Sequence, residues 1–251
     1  MNIAKYLIIA AIVFLLVPVV GCSERLNLRE VTTNAITATC EAQSYRASAV
    51  QTYTVDDKIE ESTFESEFVA PDCSHQKTSG DGKWYETIFI GDKSYIRGSD
   101  MPKWCESPCQ YDDPSTGATV TAQATSIPLE KELEPLNWQV DLEPLPDEVI
   151  DGANCWHYRG KVDMDSYVDM LQKTTKSENG QIPEHLEEMR RWIRNFELWV
   201  EKDSYLIRQL KSEERFTWVN PDTGEESLFT GSTTKQFYDF NKPISIEPPQ
   251  M

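Results

Sequence analysis

Three histidines, His75, His157 and His185, could serve as general bases or zinc ligands, but they lie far apart in the sequence. The segment EHLEE around His185 lacks the second histidine of the HExxH zinc-protease motif. No GxSxG nucleophile motif is present, and GDGKW and GDKS lack the glycine spacing of a phosphate-binding loop. We therefore predict that the protein is not an enzyme and needs no cofactor.

Three acidic residues, Asp163, Asp165 and Asp169, are close enough in sequence to be considered as calcium ligands. They also lie at the start of a predicted helix, where Asp is favoured as a cap and complements the helix dipole. We favour the capping role and predict no metal site.

A cysteine, Cys22, follows an apolar segment that runs from Tyr6 to Val20, with only Gly21 between them. Fifteen residues at about 1.5 Å each span roughly 22 Å, which is short of the ~30 Å hydrocarbon core of a membrane. One charge, Lys5, precedes the segment, and Pro18 and Gly21 loosen its end. This pattern is typical of a secretory signal peptide, and an uncleaved helix with an incidental cysteine is the alternative.

The segment VVGC at residues 19–22 resembles the lipobox of bacterial lipoprotein signals. The resemblance implies that residues 1–21 are removed, that Cys22 carries acyl chains, and that residues 22–30 form a lipidated tether. Two or three acyl chains hold a protein at a membrane far more firmly than one. We expect the protein to lie in the bacterial cell envelope, on the extracytoplasmic side, anchored to a membrane through Cys22.

The remaining cysteines are more often disulfide partners than metal ligands in an exported protein. In WCESPC, three residues separate Cys105 from Cys109, and a local disulfide there is a candidate. A zinc site is the competing interpretation, but no second close cysteine pair or histidine cluster supports it. The number of cysteines after Cys22 is odd, so one thiol stays free, pairs between molecules or is buried: Cys40, Cys73, Cys105, Cys109, Cys155.

Acidic residues dominate the charge of the chain, with 42 Asp and Glu against 24 Lys and Arg and a formal net charge of −18. Nucleic-acid binding needs basic residues at the phosphates, so we predict no nucleic-acid partner. Anionic lipid headgroups would repel the chain, so the membrane anchor must come from acylation.

The spacing of apolar residues changes along the chain from a helical to a strand-like pattern. A helix ending near Gln43 is predicted by spacings of three and four residues: Leu28, Val31, Ala35, Ala38, Ala42. Strands follow at 45–55 and 64–70, and a hairpin is predicted around Gly91. Signals from 106 to 150 are weaker, with a helical turn at 129–133 and a short strand before a proline-rich loop.

The second half of the chain begins with the predicted strand NCWHYRGKV. Two helices follow it, VDMDSYVDMLQKTT and IPEHLEEMRRWIRNF, the second with Pro183 near its N-terminus. From residue 196 onward the pattern is that of strands, interrupted by the turn NPDTGEE. No linker divides residues 31–251, which we expect to form a single domain.

The order of these segments resembles a family of half-barrel lipoproteins. The match rests on ETIFIGDKSYIRG with MPKW, DGANCWHYRGKVDMD, LWVEKDSYLIRQL and the final YDFNKPISIEPP. Outer-membrane lipoprotein carriers and mycobacterial glycolipid-carrier lipoproteins typify this family. The resemblance implies an α+β fold, in which helices cover the concave face of a strongly curved antiparallel sheet that does not close. It also implies an apolar cavity between them that takes acyl chains, whereas the extra cysteines and the loop at 106–130 depart from the family.

Aromatic and aliphatic residues on the predicted strands and helices are candidates to line such a cavity, with simple core packing as the alternative role for each: Tyr53, Phe68, Phe89, Tyr95, Met164, Leu171, Met189, Trp192, Leu198, Leu206, Phe237. We predict a membrane-anchored lipoprotein that binds or carries a lipid or another acylated ligand. The helix at 183–195 and the loop at 106–130 are candidates for a mobile cover. The alternative is a structural or sensory envelope lipoprotein that grips a protein or surface polymer without an internal ligand.

Overall fold

The computed structural model describes residues 27–55, 57–112, 119–124, 128–174, 184–219 and 226–251. Within these residues, eleven strands form one antiparallel sheet and two short strands form a separate hairpin. None of the described helices is both long and apolar enough to cross a membrane.

The strands of the large sheet are joined mostly by tight turns. In chain order the strands are β1 Ser44–Val55, β2 Lys58–Val69, β3 Cys73–Gly80, β4 Lys83–Ile90, β5 Lys93–Gly98, β6 Met101–Glu106, β7 Cys109–Asp112, β8 Thr119–Ala122, β9 Gln139–Ile150, β10 Ala153–Val162, β11 Ile193–Glu201, β12 Ile207–Val219 and β13 Glu226–Tyr238. Strands β7 and β8 make the separate hairpin. Residues with positive φ, among them Asp81, Gly82 and Gly91, form several of the turns.

The described helices lie before the first strand and in the two long connections of the sheet. They are α1 Leu28–Cys40, α2 Leu129–Leu133, α3 Met164–Thr174 and α4 Glu184–Glu188. Single 3₁₀ turns follow two of them, at Glu134–Trp138 after α2 and at Met189–Arg191 after α4. Helix α1 begins at Leu28, within the residues predicted as a tether.

The large sheet runs in the order β6-β5-β4-β3-β2-β1-β13-β12-β11-β10-β9, with antiparallel pairing throughout. The edge strands β6 and β9 do not pair with each other, so the sheet stays open. Pro102 lies in one edge strand and Pro144 and Pro146 lie in the other, where a missing backbone donor is tolerated. The predicted α+β fold with an unclosed antiparallel half-barrel is confirmed.

The hydrophobic core lies between helix α1 and one end of the concave face. The buried residues pack into one cluster: Val31, Ala35, Ile36, Tyr45, Ala47, Leu133, Leu136, Tyr158, Val162, Met164, Phe196, Leu198, Val200, Ile207, Phe237. The buried hydroxyl of Thr39 accepts a 2.9 Å hydrogen bond from the backbone N–H of Ile207. This bond fixes the end of α1 to strand β12 while satisfying a buried donor.

The structure differs from the sequence predictions in two connecting segments. The helix predicted for IPEHLEEMRRWIRNF is shorter, because Ile193 begins strand β11 and pairs with Arg215 of β12. Pairing on both sides of β11 satisfies its backbone and buries Phe196, which outweighs the local helical spacing. The proline-rich segment predicted as a loop is instead the edge strand β9, since an edge strand needs hydrogen bonds along only one side.

Candidate functional site

A cavity of about 820 Å³ continues from the core along the concave face of the sheet. Strands β1 to β4 and β11 to β13 form its wall, and helix α2 lies against it. Its volume falls within the range of about 300–1,000 Å³ that is typical of ligand pockets. The large apolar side chains of the wall are Tyr45, Phe64, Phe68, Phe89, Leu129, Leu210 and Phe229.

Strand β1 shows how core and cavity share one face. Its alternate residues Tyr45, Ala47, Ala49 and Gln51 point to the concave side, as the period of two in a strand requires. Tyr45 and Ala47 are buried beneath helix α1, whereas Gln51 is exposed at the cavity. The helix therefore covers only the first part of the strand and leaves the cavity beyond it.

A row of stacked aromatic rings crosses the concave face beyond the core. Trp192 stacks on Phe216 at 4.4 Å between ring centroids, and Phe216 stacks on Phe229 at 4.5 Å. Phe229 in turn stacks on Tyr53 at 6.0 Å. Since Phe229 lines the cavity, the row extends its apolar surface across four segments of the chain.

Two ion pairs lie in the cavity wall. The ammonium group of Lys235 is 2.6 Å from a carboxylate oxygen of Glu132, and Nε of Arg194 is 2.9 Å from Oε1 of Glu214. Lys235 is 8% exposed and also lies 5.5 Å from the centroid of the Phe64 ring. Each cation thus has a carboxylate partner within the wall itself.

The tyrosine at the boundary between core and cavity remains neutral over a wide pH range. Burial raises the pKa of the Tyr45 phenol, and the negative charge of Glu132 raises it further. The Tyr45 ring stacks on Phe68 at 5.1 Å between centroids. The residue therefore contributes an apolar surface to the cavity rather than an ionisable group.

The predicted cavity residues fall into three groups. Phe68 and Phe89 line the cavity, while Tyr53 and Trp192 belong to the aromatic row beside it. The structure places the second group in the packed core instead, where the side chains contact one another beneath the helices: Met164, Leu198, Phe237. Met189 is half-buried against this core.

The third group of predicted residues lies away from the described cavity wall. Tyr95 is buried, but its neighbour Ser94 pairs with the cavity residue Phe89, so alternation directs Tyr95 to the opposite face. Leu171 and Leu206 are half-buried, on helix α3 and just before strand β12. Hydrophobic residue type alone does not separate these positions from those that line the cavity.

The wall contains residues that the sequence analysis missed, and alternation could have found some of them. Phe64 is four residues before Phe68 on β2 and faces the same side. Phe229 lies opposite Phe216 in the register of β12 and β13, which the sequence alone does not reveal. The role of Leu129 and Glu132 depends on how the connection before β9 folds back across the sheet.

Two of the three histidines form ion pairs with glutamates. No three His, Cys, Asp or Glu side chains in the described part of the chain lie close enough to hold a metal ion. His75 contacts Glu86 at 2.7 Å and His157 contacts Glu197 at 3.0 Å, both within ion-pair networks on the convex face. His185 lies in helix α4.

The aspartates at the start of helix α3 have structural partners. Asp163 accepts hydrogen bonds from the backbone N–H and the hydroxyl of Ser166, which lower the pKa of the Asp163 carboxyl. Asp165 and Asp169 both contact the guanidinium of Arg190. The arrangement is that of a helix cap and an ion-pair network.

The five cysteines in the described part of the chain form one disulfide and three thiols. Cys105 and Cys109 form a disulfide, with Cα atoms 6.2 Å apart, that joins the end of β6 to the start of β7. Cys40 and Cys73 are partly exposed and Cys155 is buried. Cys22, the predicted lipid-attachment site, lies outside the described residues.

A smaller depression of about 380 Å³ lies on the convex face. Its charged residues pair with one another, as Arg159 does with Glu143 and Glu197, and Lys161 with Asp141. These pairs satisfy the charges of the depression, and its wall offers little apolar surface to a ligand.

Comparisons with known proteins found matches among solved structures. No family model matches the chain, and no curated protein matches it. The structure of lipoprotein LppX from Mycobacterium tuberculosis has 15% identity and a TM-score of 0.45, over 88% of this chain and 98% of that chain. The chain is thus similar to a mycobacterial lipoprotein.

Two further structures show the same kind of similarity. LprF from Mycobacterium bovis has 9% identity and a TM-score of 0.45, over 88% of this chain and 96% of that chain. A LolA superfamily protein from Nitrosomonas europaea has 9% identity and a TM-score of 0.29, over 87% of this chain and 94% of that chain. Mycobacterial lipoproteins, which the sequence resemblance named, are therefore among the structures that the chain matches.

Proposed function

We propose that the protein is a lipoprotein of the bacterial cell envelope that binds a lipid, or the acyl part of a larger ligand, in the concave cavity and releases it unchanged. One observation carries this proposal. The concave face beyond helix α1 holds a cavity of about 820 Å³ with aromatic walls, directly beside a close-packed core. An apolar surface of this kind is a binding surface for an apolar ligand.

The cavity can bind an acyl chain without covalent chemistry. Each buried CH₂ group of such a chain contributes about 0.8 kcal/mol, so partial burial of one chain already yields reversible binding. The rings of Phe64, Phe68 and Phe229 offer rigid contact surfaces that lose little side-chain entropy on binding. Release then requires only that the chain leave the cavity.

The membrane anchor in this proposal is the acylated Cys22. Cleavage after residue 21 would make Cys22 the first residue of the mature protein, and the described fold begins only a few residues later, at α1. The formal charge of −18 opposes binding to anionic headgroups, so the acyl chains must hold the protein at the membrane.

Lipid extraction tests the binding function. Residues 23–251 contain every described helix and strand, so this part of the chain retains the described fold without the acylated cysteine. The purified protein is extracted with organic solvent, the extract is analysed by mass spectrometry for lipid, and uptake of a fluorescent diacylglycerol is measured. We expect co-purified lipid in a near-stoichiometric amount and saturable uptake.

Two tryptophan variants on neighbouring positions of β1 show whether the ligand occupies the cavity. Ala49→Trp adds a large side chain to the cavity wall, and Val50→Trp adds the same side chain to the exposed opposite face. We expect the first variant to lose most of the uptake and the second to retain it. Absence of both lipid and uptake in the unmodified protein would contradict the proposal and favour an envelope component that binds protein or polymer.

Acylation of Cys22 is tested separately, in bacteria that express the full chain. An alkyne analogue of palmitate labels the acylated cysteine, and cell fractionation locates the protein. We expect the Cys22→Ala variant to lose both the label and membrane association, whereas Cys73→Ala retains both. Labelling that persists in Cys22→Ala would show that the anchor lies elsewhere.

A further inference from the structure

The cations of the cavity wall are neutralised by carboxylates of the protein itself. Lys235 and Arg194 are the cations of its described wall, and each is paired with a carboxylate, Glu132 and Glu214 respectively. Two further carboxylates, Glu67 and Asp72, also line the cavity, and Glu67 is paired with Arg46. An anionic group entering the cavity would therefore meet paired cations and carboxylates rather than an open cationic site.

Uncharged polar groups, by contrast, are available along strands β2 and β3. Their concave-facing side chains have no hydrogen-bond partner within the described part of the chain, although they line the cavity: Ser62, Ser66, Ser74, Gln76, Thr78. Hydroxyl and amide groups can donate to an ester carbonyl and accept from a hydroxyl.

The register of β2 and β3 interleaves these polar groups with aromatic rings. Phe64 lies opposite Thr78, and Phe68 lies opposite Ser74, with Ser66 between the two rings along the strand. A ligand on this surface therefore contacts apolar rings and neutral hydrogen-bonding groups a few ångströms apart. An acyl chain joined to an ester or hydroxyl group has this combination of properties.

We infer that the cavity selects an uncharged acyl lipid and excludes anionic phospholipids, an inference that rests on the proposed function. The ester or hydroxyl groups of the lipid bind the neutral polar groups of β2 and β3, while its chains contact the aromatic wall. Exclusion arises because an anionic headgroup must either break the pair of Lys235 with Glu132 or lie unpaired beside carboxylates. Both outcomes cost binding free energy, which is how a site rejects a wrong ligand.

Two lipids with identical chains test the selectivity, namely dioleoylglycerol and dioleoylphosphatidylglycerol. Each is offered in detergent micelles to residues 23–251, and the bound lipid is counted by native mass spectrometry. We expect at least tenfold more dioleoylglycerol than dioleoylphosphatidylglycerol on the unmodified protein.

Removing a carboxylate from an internal pair tests the cause of the selectivity. We expect Glu132→Gln to raise the ratio of bound dioleoylphosphatidylglycerol to bound dioleoylglycerol several-fold, because it leaves Lys235 without its carboxylate partner. Glu214→Gln, which frees the more exposed Arg194, provides a second variant should the first fold poorly. Glu143→Gln on the convex face removes the same charge away from the cavity and should change neither lipid.

The outcomes separate the inference from the function on which it rests. Binding of neither lipid would overturn the proposed function. Equal binding of both lipids, or preference for the anionic one, would overturn the selectivity and leave lipid binding intact. An identical response of the Glu132→Gln and Glu143→Gln variants would show that the overall charge of the protein, rather than the internal pair, sets the preference.

Discussion

The ammonium group of Lys235 on strand β13 lies 2.6 Å and 2.8 Å from the two carboxylate oxygens of Glu132 on helix α2. The side chain of Lys235 is 10% exposed, whereas that of Glu132 is 34% exposed. The pair joins the connection before β9 to the middle of the sheet, beside the cavity. The loss of the pair would therefore leave Lys235 largely out of water but would leave Glu132 accessible to it.

Removing the carboxylate of Glu132 should destabilise the protein more than removing the ammonium group of Lys235. Glu132→Gln leaves an ammonium group largely out of water. We expect the free energy of unfolding to fall by about 1.5–3 kcal/mol, the usual contribution of a hydrogen bond to a charged group. Lys235→Met leaves a carboxylate that water can reach, and should cost less. Urea unfolding of both variants measures the difference, and a larger loss for Lys235→Met would contradict this account.

Truncation of two phenylalanines on β13 should distinguish a residue that packs in the core from one that contacts the ligand. Phe237 is 1% exposed in the core, and truncation to Ala should cost about 3–5 kcal/mol of unfolding free energy. Phe229 is half-buried and lines the cavity, so Phe229→Ala should cost less and weaken lipid uptake. Unfolding and uptake are measured on both variants. Equal stability losses would show that Phe229 belongs to the core.

The thiol of Cys40 should react slowly at neutral pH. Burial raises its pKa from 9.0 to about 11, and the charges of Glu130 and Glu41 add to the shift. Because the thiolate is the reactive form, the thiolate fraction at pH 8 is about 100-fold below that of a thiol with pKa 9. Alkylation by iodoacetamide at increasing pH, followed by peptide mass spectrometry, should show the rate rising until about pH 11.

The other cysteines provide the controls for this measurement. Cys155 is fully buried and should be labelled only after unfolding, and Cys105 and Cys109 only after reduction. Rapid labelling of Cys40 at pH 8 would contradict the packing seen at the end of helix α1.

Acid should weaken the ion-pair network on the convex face. Burial favours the neutral form of Glu86, but hydrogen bonds from His75 and Arg97 outweigh it and lower the pKa of Glu86 below its ordinary value of 4.5. A lowered folded-state pKa means that the stabilisation is complete above pH 4.5 and is lost as the pH falls through the folded value.

Replacement of Glu86 should remove this contribution at neutral pH. We expect the free energy of unfolding of Glu86→Gln to lie about 1.5–3 kcal/mol below that of the unmodified protein at pH 7. This difference should shrink as the pH falls below 4.5. Urea unfolding over this pH range measures the difference. Glu65→Gln, at an exposed position on β2, is the control, and the same pH dependence there would assign the effect to overall charge.

The sequence predicted the repeating elements of the fold well, because their signals are local. Alternation along Tyr45, Ala47 and Ala49 marks a half-buried strand whatever lies beside it, and a Gly-Asp turn marks a hairpin. The same local logic favoured the cap at Asp163 and named Cys105 and Cys109 as a candidate disulfide. It failed for the segment after Met189, where strand pairing on two sides overrode a helical spacing.

Only the tertiary structure separated the core from the cavity. Phe68 and Phe237 are both apolar residues of alternating strands, yet one lines the cavity and the other is fully packed. The difference depends on how far helix α1 reaches along the concave face and on where α2 folds back across it. Both depend on contacts between residues far apart in the chain, such as Thr39 with Ile207 and Glu132 with Lys235. A local pattern specifies which face of a strand is apolar, and only packing at long range decides what fills the space against that face.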